Sequence, residues 1–482
     1  MPSPPPNSPP AINRAATSVH TKDDAPVPFF KRLRRMSTLF QPRDRKGPSF
    51  VSSLVALTKA SWLNFLLVFI PVAWGLHYGL DDDFKNKDTL VFVFCFIAIL
   101  PLAKLLAFAT EQLSLYFGQT VAGLLNATLG NAVELIVAIV ALTKCELRIV
   151  QSSLVGSILS NLLLVLGMCF FAGGLKYSQQ GFGTSAVQLN SSLLTVSVIA
   201  VLLPAAFNLS GDIDDETLRK DILRLSHGVA LILLFIYGAY LTFQLWSHAD
   251  LYHDQSDDIV KSIAYTNKTP EPTQATTSAI IHQGDALQSR TNTATSPTAA
   301  SATLENGTTH EEEDEKPVMN IRAALFSLGL VTFFVAFTAE FLVDSINGLT
   351  ETGAISKEFV GLILLPIVGN AAEHVTAVTV SVKDKLMLSL GVAVGSSIQL
   401  SLFVIPFVIV LAWIMGKPLT LLFDPYESIA LFLAVLIVNY VTQDGKSNWL
   451  EGMILMCVYA ILGVTFWFYP GSDPSGILAT CH

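Results

Sequence analysis

Charge is scarce in this chain. Of its 482 residues only 14% are Asp, Glu, Lys or Arg, and 51% are hydrophobic. A soluble protein of this length would carry about 25% charged residues, so the shortfall points to a polytopic membrane protein. Cysteine is scarce too. Of five cysteines, Cys95, Cys169 and Cys457 sit in apolar stretches, Cys145 in a short loop and Cys481 near the end of the sequence, with no CxxC pair. This predicts neither a disulfide framework nor a zinc centre. No GxxxxGK[ST] loop is present, which argues against an ATP-driven pump. No soluble catalytic constellation appears, so the chain is not read as an enzyme, and neither a resident cofactor nor a nucleic-acid partner is expected. No alternating ten-residue pattern supports a membrane barrel. No apolar core precedes residue 50, which argues against a cleavable signal peptide.

The charge that is present is segregated. Lys31, Arg32, Arg34, Arg35, Arg43, Arg45 and Lys46 stand against the single acid Asp44, whereas acids gather at 81–83, 212–221, 250–258 and 311–315. Residues 1–55 read as a disordered, basic cytosolic tail, and Arg34-Arg35-Met36-Ser37 resembles a basophilic kinase site. Eleven apolar spans are expected at 58–79, 89–110, 120–143, 149–172, 188–208, 226–247, 319–343, 356–382, 386–415, 424–442 and 449–469. The organisation is therefore a first helix and loop (56–88), a five-helix repeat (89–247), an acidic linker (248–317), a second five-helix repeat (318–470) and a tail (471–482). The basic tail places the N-terminus in the cytosol, and eleven crossings leave the C-terminus on the other, lumenal side. Lys144 and Arg148 then fall on the side where basic residues are disfavoured.

One phrase is written twice. Residues 130–134 read GNAVE and 369–373 read GNAAE, and each is followed 26 residues on by a Gly-Ser pair, Gly156-Ser157 and Gly395-Ser396. A carboxylate at membrane depth costs about 2.5–3.5 kcal/mol on insertion scales, so the pair Glu134 and Glu373 demands a reason. The repeat extends upstream, where LAFATEQLS around Glu111 matches VAFTAEFLV around Glu340. The two phrases lie five spans apart. An odd separation means opposite orientation, the inverted repeat of secondary transporters with a site near the midplane. The fold expected is thus all-α and polytopic, with one N-terminal helix plus two inverted five-helix repeats.

Helical spacing sorts the polar groups. Asn131 shares a face with Glu134, and Asn370 with Glu373 and Thr376. Ser157, Ser160 and Asn161 share one face of the fourth span, and Ser396 with Gln399 the equivalent face of the ninth. Gly130, Gly369, Gly156 and Gly395 would let helices approach closely at the site. Neither repeat core carries a Lys or Arg at comparable depth, which leaves both carboxylates without a fixed counter-charge. His374 adjoins Glu373 but points about 100° away. It is a proton-path candidate together with Glu111, Glu340 and Asp344, whose placement near span ends suggests access routes. Two carboxylates amid amide and hydroxyl oxygens suit a hard divalent cation. Facing carboxylates also favour protons, so metal and proton would compete for the same oxygens, as an antiport cycle requires. A passive cation channel and a sodium- or potassium-coupled exchanger are the alternatives.

GNAVELIVAIVALT, PIVGNAAEHVTAVTVSVKDKLMLSLGVAVGSSIQLSLFVIP and FATEQLS resemble the cation/proton exchanger family, the vacuolar calcium/proton antiporters of fungi and plants, over about residues 55–470. The resemblance implies eleven helices and the exchange of cytosolic calcium for vacuolar protons; the oxygen-rich donor set admits manganese as a second cation. It implies metal and proton binding at Glu134 and Glu373, with Asn131, Asn370, Ser157, Ser396 and Gln399 in support. It also favours Glu111, Glu340, Asp344 and His374 as lining or proton-path residues. Sodium/calcium exchangers share the fold logic but usually carry Asp in the second phrase; Asn and Glu in both copies disfavour sodium coupling.

Overall fold

The computed structural model describes residues 47–482 except 82, 118, 210–214, 253–258, 266–316, 352, 354, 475 and 482. The basic tail, its kinase-like site and most of the acidic linker lie outside the described residues.

The described chain is helical apart from three short strands. In order the helices are α1 (Phe50–Lys59), α2 (Trp62–Gly79), α3 (Lys87–Ser114), α4 (Gln119–Leu129), α5 (Ala132–Thr143), α6 (Leu147–Gly174), α7 (Thr184–Asn208), α8 (Glu216–Ser247), α9 (Ile321–Glu351), α10 (Lys357–Gly369), α11 (Ala371–Val382), α12 (Leu386–Ile414), α13 (Pro425–Val441) and α14 (Trp449–Phe468). Among the described residues, length and apolarity alone qualify eight helices to cross a membrane, or nine if the bent pair α10–α11 counts as one span. These criteria stop short of the eleven expected at two places. The third span is divided into α4 and α5, and the tenth, α13, has only 17 residues.

Contacts between helix ends define two faces. On one, Lys144 after α5 meets Glu340 and Asp344 of α9, each at 3.1 Å. Arg148 at the start of α6 pairs with Glu358 at the start of α10. Asp424 caps α13 and accepts from the Tyr469 hydroxyl (2.9 Å) and the Ser472 backbone N–H (2.7 Å) beyond α14. A disulfide joins Cys145 to Cys481. That bond corrects the expectation from cysteine spacing: the partners lie 336 residues apart, and only the fold brings them together. The same acids absorb Lys144 and Arg148, the two cations that sat badly with topology.

On the opposite face, β1 (Tyr177–Gly181) pairs antiparallel with β2 (Ile263–Ala264) and β3 (Lys446–Ser447). Gln180 donates to the Ser381 carbonyl (2.7 Å) and to Asp384 (3.2 Å) at the end of α11. Asn320, just before α9, donates to the Pro48 carbonyl (3.1 Å). The helices α5 and α6 thus end and begin on the disulfide face, while α11 and α12 end and begin on the sheet face. The two repeats run in opposite directions. The membrane part enters at the sheet face, near Pro48, and leaves at the disulfide face.

Between these faces lies one apolar core. Its largest fully buried side chains include Phe170, Phe182, Phe423 and Phe466. Among the described residues four helices contain a π-helical turn: Ser160–Val165 in α6, Phe243–Ser247 in α8, Val360–Leu364 in α10 and Leu400–Val404 in α12. The last two precede Pro366 and Pro406. Proline has no N–H and frees a carbonyl one turn back, so the ladder widens there.

Candidate cation site

Each copy of the repeated phrase is a helix break, not a continuous helix. Asn131 and Asn370 sit at backbone angles (φ −98°, ψ 34° and φ −87°, ψ 3°) that end one helix and cap the next. The axes of α10 and α11 diverge by 58°. Glu134 and Glu373 are therefore third residues of new helices, α5 and α11. A carboxylate there lies against the positive end of the helix dipole, worth roughly 0.3–1 kcal/mol for its charged form. Sequence spacing put Asn131 with Glu134 and Asn370 with Glu373 but missed the break. The Gly-Asn pair at each phrase was its signal, because both residues favour helix ends.

The two breaks meet and are stitched across the repeats. Ser396 of α12 donates to Asn131 Oδ1 (2.7 Å) and accepts from Asn161 Nδ2 of α6 (3.0 Å). Reciprocally, Asn370 Nδ2 reaches the Ser157 carbonyl (3.5 Å). Glu134 lies so close to Gly369 that a Cβ there would come within 2.6 Å of its Oε1, and a Cβ on Gly130 would stand 3.6 Å from Gln399 Oε1. Gly369 precedes Glu373 by four residues, so the Glu134 carboxylate reaches into the second phrase itself. Ser157, Glu134 and Gly369 line a cavity of about 20 Å³ with Ser153, Val133 and Val137, room for about one water-sized body.

Several buried polar atoms of this cluster have no hydrogen-bond partner: Glu134 Oε1, Glu373 Oε2, Asn370 Oδ1, Asn161 Oδ1, Asn131 Nδ2 and Gln399 Nε2. Orphaned buried polar atoms are rare in native proteins. Four of these are oxygens converging from both repeats, the donor set a hard cation takes. Among the described residues no group of three or more His, Cys, Asp or Glu could hold a metal, so any cation here depends on amide and hydroxyl oxygens beside the two carboxylates.

The remaining candidates divide. His374 Nε2 lies 3.5 Å from Ser160 Oγ, on the side facing α6. Glu340 and Asp344 are engaged by Lys144 on the disulfide face, away from the breaks. Glu111 lies three residues from the end of α3, exposed towards the sheet face. Gly156 packs against the backbone of Leu362, but a Cβ on Gly395 would meet nothing within 4 Å. The expected close packing at Gly395 is therefore absent, because the helix that would supply it stands away. A further correction concerns charge. Lys104 of α3 does lie at depth, with Nζ 3.4 Å from Thr376 Oγ1 on the stripe that carries Glu373. The spacing of residues within the repeat core could not show that a neighbouring span delivers a cation there.

A sequence-family model described as sodium/calcium exchanger protein matches residues 87–246 and 323–468, the two repeats. The chain belongs to this family. It is 50% identical to a protein named vacuolar calcium ion transporter from Cryptococcus neoformans, over 92% of this chain and 80% of the relative. It is 39% identical to a Ca(2+)/H(+) antiporter from Aphanothece halophytica, over 84% and 96%. The fold is similar to the solved structure of native YfkE, with TM-score 0.63 and 28% identity over 85% of this chain and all of that one.

Proposed function

We propose that this chain exchanges cytosolic calcium, with manganese as a second candidate, for lumenal protons across the vacuolar membrane, by alternating access at Glu134 and Glu373. One observation carries the reading: two oppositely directed helix starts bring a carboxylate each to one buried region with orphaned oxygens from both repeats. A site with two ionised carboxylates and no cation is costly at that depth. One divalent ion neutralises it, and so do two protons. The same oxygens cannot hold both, so loading with one expels the other. Asn131, Asn370, Ser396 and Gln399 hold the carboxylates in place and complete the oxygen set. Each pH unit of lumenal acidity supplies about 1.4 kcal/mol per returning proton. The vacuolar and calcium/proton names of the relatives support this reading.

The orientation proposed is sheet face to the cytosol and disulfide face to the lumen. The basic tail favours a cytosolic N-terminus, and a disulfide at Cys145 and Cys481 suits a non-reducing compartment. The test is calcium uptake into acid-loaded vesicles containing the purified chain. Uptake should appear with the proton gradient and cease when a protonophore collapses it. Uptake that persists without the gradient, or that requires sodium, would overturn the proposal.

A further inference from the structure

Lys104 stands out from every other cation of the described membrane core. It is the eighteenth residue of the 28-residue helix α3, about 25 Å along the axis from one end and about 15 Å from the other. An ammonium at such depth carries an insertion cost of about 2.5–3.5 kcal/mol. A structural lysine would offset this cost with a carboxylate, yet among the described residues Lys104 makes no ion pair, and its polar contact is the neutral Thr376 hydroxyl at 3.4 Å. That hydroxyl accepts from the lysine while donating to the Ala372 carbonyl (3.0 Å); being neutral, it leaves the ammonium's charge uncompensated.

The position of Thr376 gives the contact meaning. It follows Glu373 by three residues on the same face of α11, a rise of roughly 4.5 Å, on the sheet-face side of the carboxylate. Thr376 and its neighbour Val375 are exposed, whereas Glu134 is buried beneath Gly369. The ammonium therefore stands about one helical turn from Glu373 along α11, on the sheet-face side of that carboxylate. The charged and titratable groups around it are Glu373 and His374 on α11, Glu134 beyond them, and Glu111 two turns along its own helix. A lysine side chain on four rotatable carbons can cover one helical turn.

We propose that Lys104 is a tethered competitor cation: it screens Glu373 when the site is empty and repels an arriving divalent ion, and so sets the calcium concentration at which the site half-fills. The inference rests on Glu373 being a calcium ligand, as proposed above. It makes Lys104 a positioning charge that touches the site through electrostatics and does not bind the transported ion.

The experiment is a charge series, K104R, K104Q and K104E, reconstituted in vesicles. Initial rates of proton-driven calcium uptake are measured against calcium added on the sheet-face side. K104R should stay within twofold of the parent in half-saturating calcium. K104Q should lower it at least threefold and K104E at least tenfold, with maximal rates changing less than the half-saturation. Calcium-dependent thermal stabilisation of the detergent-purified variants should shift to lower calcium in the same order, which keeps the test independent of turnover. Half-saturation within twofold for all three variants, or a fall in maximal rate alone, would overturn the role and leave Lys104 a packing lysine. E373Q is run in parallel. If E373Q still exchanges calcium, the site itself is wrongly assigned; if E373Q is inactive and the Lys104 series is flat, only the competitor role fails.

Discussion

The two repeats share a backbone and differ in what packs against it. Cys145 and Asp384 occupy the same turn in their copies, both at positive φ (59° and 63°). Each turn closes with the same bond, Glu146 N–H to the Ala141 carbonyl (2.9 Å) and Lys385 N–H to the Val380 carbonyl (3.3 Å). Each following helix carries a π turn at the same place. The packing does not repeat. In α6, Ser152 and Gly156 lie hard against Gly361 and Leu362 of α10. Their counterparts in α12, Gly391 and Gly395, meet open space. Ile149 is fully buried, whereas its counterpart Leu388 is 46% exposed. The half-helix that would cover α12 is α4, and its Gly123 leans instead on Leu245 of α8. The molecule is thus tightly packed between the carboxylates and the disulfide face, apart from the small cavity beside Glu134, and looser between them and the sheet face. Two inverted copies in unequal packing amount to one of two states, and exchanging the packing between them would produce the other. On the proposed orientation the looser side faces the cytosol.

The strongest test of that comparison removes what the halves share. Glu134→Gln and Glu373→Gln each keep shape and hydrogen-bonding capacity while deleting one charge. Each should reduce proton-driven calcium uptake at least 100-fold, because a site with one carboxylate neither balances a divalent ion nor takes a second proton. Uptake is read in vesicles, with equal protein confirmed by blotting. Near-normal exchange in either variant would mean that the halves are unequal in function as well as in packing.

A second test separates the halves. Gly156→Val places two methyl groups against Leu362, whose Cα would stand 2.6 Å from even the first added carbon. Overpacking of this kind costs about 1–3 kcal/mol, and the melting midpoint should fall by several degrees. Gly395→Val faces open space and should leave the midpoint within about one degree. It should nonetheless slow exchange severalfold, since the opposite state needs Gly395 to pack as Gly156 does here. Equal loss of stability in the two variants would remove the asymmetry argued above.

The parts legible in sequence were those carried by pattern. The twin phrases announced Glu134 and Glu373, and their odd spacing announced inversion. Helical spacing grouped Asn131 with Glu134, Asn370 with Glu373, Ser157 with Asn161 and Ser396 with Gln399, each set on its own helix. What escaped was set by distant contact. Whether Gly395 packs depends on where α4 stands, and the two glycines read alike in sequence. The pairing of Cys145 with Cys481 depends on the tail folding back under α14. Lys104 lies deep in a neighbouring span, about three turns from the nearer end of α3, and its approach to Thr376 is a fact of packing between α3 and α11. The helix break was half visible: Gly-Asn marks helix ends, but a long apolar run around it masks the interruption.

The smallest effect concerns the disulfide face. Lys144 bridges Glu340 and Asp344, each at 3.1 Å, and these contacts tie the end of α5 to α9 on the tightly packed side. Partial burial lowers the proton affinity of its ammonium, but the hydrogen bonds and charges of Glu340 and Asp344 outweigh it and hold the group above its ordinary value of 10.5. A raised lysine contributes its stability in full below the unfolded value and loses it as pH rises through the folded one. The lysine's contribution to the pair is therefore unchanged through neutral pH and fades only above about pH 10.5. Its side chain is 36% exposed, so water screens the pair and its worth is about 0–1 kcal/mol. Lys144→Met should lower the melting midpoint by a degree or two at pH 7, by the same amount at pH 5.5, and leave half-saturating calcium unchanged. A pH-dependent loss between 5.5 and 7 would show that Glu340 or Asp344 exchanges protons in that range, and would promote this face from a structural clamp to part of the proton route.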